Sequence, residues 1–118
     1  MPPEDVLQEI TSKEDYANLF NEAEYHVIMY TSKACGACKL FEKSLAKGIK
    51  VFRKSFPSVG LWKIYYRAGV VDFNAREINF VPYITVIVDG KEREVIDHYC
   101  DVEEFVKYLQ VAIERQDL

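Results

Sequence analysis

Cysteine, proline and glycine are all scarce in this chain, with 3, 4 and 5 copies among 118 residues. Three cysteines are too few, and odd in number, which excludes a disulfide-dense mini-protein. The few prolines and glycines are scattered, so no linker, repeat or low-complexity segment stands out. No apolar run approaches the roughly 20 residues a helix needs to cross a bilayer. The opening Met1-Pro2-Pro3-Glu4-Asp5 has no basic stretch followed by an apolar one, and a secretory signal is not expected. Positive charge is not in excess either: 15 basic against 19 acidic side chains give a net charge of −4, which argues against nucleic acid as the main partner. What is present is ordinary globular composition, 49% hydrophobic and 29% charged, and its 14% aromatics exclude intrinsic disorder. The length predicts a single domain over residues 1–118. The expectation is a small soluble cytoplasmic monomer with no membrane and no nucleic-acid partner.

Val6 to Ile10 reads as a short strand. Thr11 with Glu14, and Ser12 with Asp15, both form capping-box patterns that open a helix with Tyr16, Leu19, Phe20 and Ala23 on its apolar stripe. His26 to Tyr30 is a continuous apolar run, the pattern of a strand buried on both faces. After Thr31-Ser32-Lys33-Ala34-Cys35-Gly36-Ala37-Cys38, the residues Phe41, Leu45, Ile49, Phe52 and Phe56 mark one face of a long helix that Pro57 ends. Lys39, Lys43, Lys47, Lys50 and Lys54 occupy its other side, as a solvated face or as a positive rim for an acidic partner. Leu61 to Tyr66 predicts a strand, and residues 68–79 a short helix with Asp72 as its N-cap. Ile84 to Val88 is a strand, Asp89-Gly90 a tight hairpin turn, and Glu94 to His98 the return strand. Asp101 caps a last helix with Val102, Phe105, Val106, Leu109 and Ile113 facing inward. The order β-α-β-α-β-α-β-β-α predicts an α/β fold, a central mixed five-stranded sheet with helices on both faces.

Cys35-Gly36-Ala37-Cys38 sits where a buried strand turns into the long helix. At a helix N-terminus, free N–H groups and the helix dipole stabilise a thiolate, the form that attacks disulfides. Two intervening residues leave Cys38 near enough to resolve a mixed disulfide on Cys35. Gly36 permits close backbone approach, Ala37 leaves the sulfurs accessible, and Lys33 adds positive potential. Three readings compete: a dithiol redox site, a structural pair, and a zinc site, for which only His98 and Cys100 are at hand to complete the four ligands. The strand-to-helix location favours the first.

With this unit, and with Val81-Pro82 ahead of the Ile84 strand, the chain resembles the thioredoxin-like superfamily, the thioredoxins and the catalytic domains of protein disulfide isomerases, from Val6 to Ile113. The resemblance implies a thiol–disulfide oxidoreductase acting on disulfide-containing proteins, without a cofactor, and supplied with electrons by a thiol or flavoprotein reductase. It makes Cys35 the nucleophile and Cys38 the resolving thiol, joined in the oxidised state. It also makes Pro82 a cis proline and, with Gly36, Ala37 and Val81, part of the substrate groove, where backbone groups bind an extended peptide as an added strand.

The departures from the family pattern bear on function. Ala34 stands where thioredoxins carry Trp, Ala37 where they carry Pro, and Met29 where they carry a buried acid that helps deprotonate the resolving thiol. The helix-kinking proline is absent, which leaves Lys39 to Phe56 continuous except for Gly48. Lys63 matches the lysine that partners the missing acid; it reads as a surface lysine or as a partly buried ammonium near the thiols. His98 stands near the groove rim, as a stabiliser of the Cys35 thiolate, as a proton shuttle or as an exposed strand-end histidine. His26 reads as structural, and Cys100 as an inert, at least half-buried thiol or an exposed regulatory one. These departures leave room for a second reading, a thioredoxin-fold binding or assembly module with little redox turnover.

Overall fold

Ser12 begins the first helix as its spacing predicts: its hydroxyl accepts the Asp15 N–H at 3.0 Å, and α1 runs over Lys13–Leu19. The computed structural model describes residues 2–22 and 24–114. Met1, Glu4's side chain and residues 115–118 lie outside the described residues, as does Ala23, the last member of the stripe expected on α1. The strands are β1 (Gln8–Glu9), β2 (Tyr25–Thr31), β3 (Val59–Tyr65), β4 (Tyr83–Val88) and β5 (Lys91–Ile96). They form one mixed sheet in the order β1-β3-β2-β4-β5. β2 is central, parallel to β3 and antiparallel to β4, and its residues from His26 to Thr31 are buried, as a continuous apolar run requires.

Alternation along β2 builds two cores. Val27 and Met29 face a core shared with the helices α2 (Gly36–Lys47), α3 (Ile49–Ser55) and α4 (Val102–Glu114). Ile28 and Tyr30 face the other, closed by Leu19 of α1 and by Val70, Phe73 and Ile78. Asp101 caps α4 as expected, its carboxylate accepting the Glu104 N–H at 2.8 Å. Asp89 and Gly90 make the hairpin turn with φ of 52° and 79°, the left-handed pair that matches strand twist.

Several elements differ from the sequence expectation. The long helix is two helices, because Gly48 leaves helical geometry at φ −100° and ψ 11° and serves as both C-cap and N-cap. Residues 68–79 form turns and no helix. Arg67, Gly69 and Glu77 all take positive φ, which a helix cannot accommodate, and the Asp72 carboxylate bonds the N–H groups of Asn74 and Ala75 in a single local turn. The expected Val6 to Ile10 strand shrinks to Gln8–Glu9, its flanking Leu7 and Ile10 buried in the cores. The return strand starts directly after Gly90 and ends at Ile96, so His98 lies beyond it.

Candidate active site

Cys35 is the N-cap of α2. Its Sγ accepts the Cys38 backbone N–H at 3.1 Å, so the sulfur sits on the positive end of the helix. Cys35 and Cys38 are joined in a disulfide, with Cα atoms 5.3 Å apart. Cys35 is 9% exposed and Cys38 only 1%, which orders the two for attack from solvent. Gly36 is exposed and Ala37 half-buried between them, with nothing within 4 Å of where a Cβ on Gly36 would lie.

The sheet register brings the second motif to the same end of the molecule. Tyr83 pairs with Tyr30, which sets Pro82 opposite Thr31, at the strand end that leads to Cys35. The Val81–Pro82 peptide bond is cis. A cleft beside Val81 is lined by Ser32, Tyr66, Phe73, Ile78 and Phe80, and the Ser32 carbonyl accepts the Cys35 N–H at 3.2 Å. Tyr66 and Phe80 are 45% and 58% exposed, large apolar rings left to water at the rim of this cleft. Their exposure depends on the turns between β3 and β4, where the sequence pattern reads residues 68–79 as a short helix.

Lys63 is the largest departure from a surface-lysine reading. It is 4% exposed, and its Nζ lies 3.0 Å from the Glu42 Oε2 across α2 and β3, with Glu42 itself 6% exposed. Burial pulls the Lys63 ammonium down, but Glu42 and Tyr65 more than offset this and hold it above the ordinary lysine range. A buried acid is therefore present, on the inward stripe of α2 with Cys38, Phe41 and Leu45. Met29, fully buried, pairs in register with Lys63. The signal for Glu42 is its isolation: it is the sole acid between Glu24 and Asp72 and shares a helix face with apolar residues. Lys33 is exposed, its Nζ 3.7 Å from the centre of the Tyr65 ring, which Lys63 also approaches at 5.5 Å.

The histidines are engaged elsewhere. His98 meets Glu104 at 3.4 Å and Asp97 at 3.6 Å, and its ring packs edge-on against Tyr108, so α4 holds it. His26 accepts the Trp62 indole N–H on Nδ1 at 3.1 Å, which leaves its proton on Nε2, 2.7 Å from Glu22. Glu22, Glu24 and His26 are the one cluster of metal-ligand types among the described residues, so His98 and Cys100 do not join the cysteine pair as a ligand set. With its proton on Nε2, His26 offers that cluster no lone pair. Cys100 is a free, buried thiol in the same core as the pair, and burial pushes it up to about 11.

No family model matches the chain, and a search of curated proteins finds no match. Solved structures do match. Mitochondrial thioredoxin 3 from Saccharomyces cerevisiae, in its oxidised form, is similar over 92% of this chain and 98% of its own, with a TM-score of 0.71 at 16% identity. Fasciola hepatica thioredoxin is similar over 90% and 99%, with a TM-score of 0.69 at 17% identity. Thioredoxin from Trypanosoma brucei brucei is similar over 92% and 91%, with a TM-score of 0.69 at 17% identity. The chain has a thioredoxin-like fold.

Proposed function

We propose that this chain is a thiol–disulfide oxidoreductase that reduces disulfides in proteins through the Cys35–Cys38 pair. The observation that carries the reading is a bonded Cys-x-x-Cys at a helix N-terminus, with the more exposed sulfur as the cap. In the reduced protein the Cys35 thiolate attacks one sulfur of the substrate disulfide. A Cys35–substrate bond forms, the substrate bond breaks, and the departing thiolate takes a proton from solvent. Cys38 then loses its proton and attacks the Cys35 Sγ, which restores the internal disulfide and releases the second substrate thiol. Two electrons have passed to the substrate, and a thiol or flavoprotein reductase returns them to the pair.

The substrate lies along Gly36, Ala37, Val81 and Pro82, with backbone groups of Val81 pairing to it as to a strand. The exposed rings of Tyr66 and Phe80 support a preference for apolar residues next to the substrate cysteine. Reduction of insulin, driven by dithiothreitol, tests the reading. The wild type should accelerate it, and Cys35→Ser should abolish the acceleration. Acceleration that survives in Cys35→Ser, or none in the wild type, would overturn the enzyme reading. The second of these results would leave a binding module.

A further inference from the structure

We propose that the outer face of α2 and α3 docks an acidic segment of the protein whose disulfide is reduced. The proposal rests on the redox reading above and deepens it by giving the substrate a chemistry. Leu40, Lys43, Lys47, Val51 and Lys54 recur at steps of three, four, four and three, the period of one helical face. All five are exposed, Leu40 by 58% and Val51 by 71%, and Lys39 and Lys50 are exposed as well. The face continues across Gly48, whose N–H bonds the Ser44 carbonyl and whose carbonyl accepts the Phe52 N–H. It leads away from the dithiol, because α2 begins directly after Cys35.

Helix stability explains only part of this face. Lys47 and Lys54 lie in the last turns of their helices, where a cation is favourable. Lys39 with Lys43, Lys43 with Lys47, and Lys50 with Lys54 are like charges at i, i+4 spacing, and each pair weakens its helix. None of the five lysines forms an ion pair with a described residue. The one acid of residues 36–55, Glu42, is turned inward to Lys63 and leaves them uncompensated. Carboxylates from outside would relieve this repulsion.

An extended acidic chain fits the face better than a bilayer does. An interfacial helix needs an unbroken apolar face to bury. Here Leu40 and Val51 stand roughly 16 Å apart along the helix axis, with lysines between them. A row of cations with an apolar contact near each end matches a peptide that carries Asp and Glu with spaced apolar residues. The 12 residues of α2 span about 18 Å, so Lys50 and Lys54 lie about two Debye lengths from the cysteine pair at 0.15 M salt. They act on a docked chain by contact.

The test uses two synthetic peptides that share one disulfide loop and differ in a tail. The tail has about ten residues, about 33 Å when extended, enough to run along both helices. One tail carries glutamates and leucines, and the other has glutamine at each glutamate. Reduction driven by dithiothreitol should favour the glutamate peptide about tenfold in kcat/KM at low salt, mostly through KM, by a ratio that falls as salt rises. In the triple variant Lys47→Gln, Lys50→Gln, Lys54→Gln the ratio should drop below about threefold, and Lys47→Glu with Lys50→Glu should lower it further. Fluorescence anisotropy of the glutamate tail alone, which holds no cysteine, reads docking without redox chemistry and should show binding with the same dependence on salt and lysines. A ratio near one in the wild type, or an undiminished ratio in the triple variant, overturns the proposal. If the tail stays unbound while the protein sediments with phosphatidylserine vesicles, or self-associates in a salt-sensitive way, the face belongs to a membrane or to a second copy, and the proposal is overturned. Absence of Cys35-dependent turnover on both peptides overturns the redox reading itself, whatever the tail binds.

Discussion

Cys100 is the thiol that the proposed chemistry leaves aside, and it is free and buried. With the thiol pushed up to about 11, the folded protein keeps a proton that the unfolded chain loses near an ordinary thiol value of about 8.5. The folded state thus binds more protons across that window, and stability falls as pH climbs from about 8.5 to about 11, by at most about 1.4 kcal/mol per pH unit from this group. Urea unfolding at about pH 8 and about pH 10.5 should show a steeper loss in the wild type than in Cys100→Ala. Equal losses would assign no linkage to Cys100. Lys63 gives a second residue-scale expectation. Lys63→Met leaves the Glu42 carboxylate buried without its cation and should cost about 3–5 kcal/mol in urea unfolding, while removal of both charges should be near neutral. The cysteine pair is legible in sequence because its spacing and its strand-to-helix setting are local. The pairing of Glu42 with Lys63 is not, because the two are distant in sequence and meet only when α2 packs on β3.

At the scale of elements, the hairpin and the segment before β4 carry the clearest consequences. Gly90 has φ of 79°, and a Cβ there would collide with the Phe20 carbonyl, so Gly90→Ala should destabilise the fold by more than about 1 kcal/mol. A thermal melt indistinguishable from wild type would contradict this. The 66–82 segment has no regular structure, yet Arg76 ties it down. Its guanidinium bonds the Tyr16 hydroxyl and, at 2.7 Å, Glu92, while the Tyr16 hydroxyl meets that of Tyr30 at 2.8 Å. Burial and Tyr16 push the Tyr30 phenol up, which keeps this network uncharged at its centre. Arg76→Met should raise hydrogen exchange across 66–82 and slow reduction of protein substrates more than that of small disulfides, since the segment forms the rim beside Val81. Unchanged exchange would show that Val70, Phe73 and Ile78 hold the segment without Arg76. Caps and periodic stripes made α1, β2, β4 and α4 readable, because those signals act within a few residues. The 68–79 helix expectation fails because Asp72 satisfies a turn as well as a helix start, and the positive φ at Arg67 and Glu77 answers to packing rather than to residue type.

Taken whole, the molecule is electrically two-sided. Residues 36–55 hold six of the fifteen basic side chains and one of the nineteen acids, and that acid is buried against Lys63. The lysines at 39, 43, 47, 50 and 54 are all exposed, so the surface running from the active site along α2 and α3 is positive while the remainder is negative. An anionic disulfide such as oxidised glutathione should therefore react faster than cationic cystamine, by a ratio that shrinks as salt shortens the Debye length from about 10 Å at 0.1 M. A ratio independent of salt would remove electrostatic steering. No helix among the described residues is long and apolar enough to cross a membrane. The β2 run and the alternation of strands and helices around it call for a mixed sheet covered on both faces, and that is why the fold class is legible at 16–17% identity to thioredoxins of the same shape, whereas the strand order is not. The central claim is that Cys35 and Cys38 form a reversible reducing couple, and equilibration of the protein in glutathione buffers tests it most directly, with the disulfide fraction read by alkylation and mass mapping. One two-electron transition confined to Cys35 and Cys38 is expected, with Cys100 unmodified, near the roughly −270 mV of thioredoxin. No reversible transition, or one near the roughly −120 mV of a strong oxidant, would contradict it.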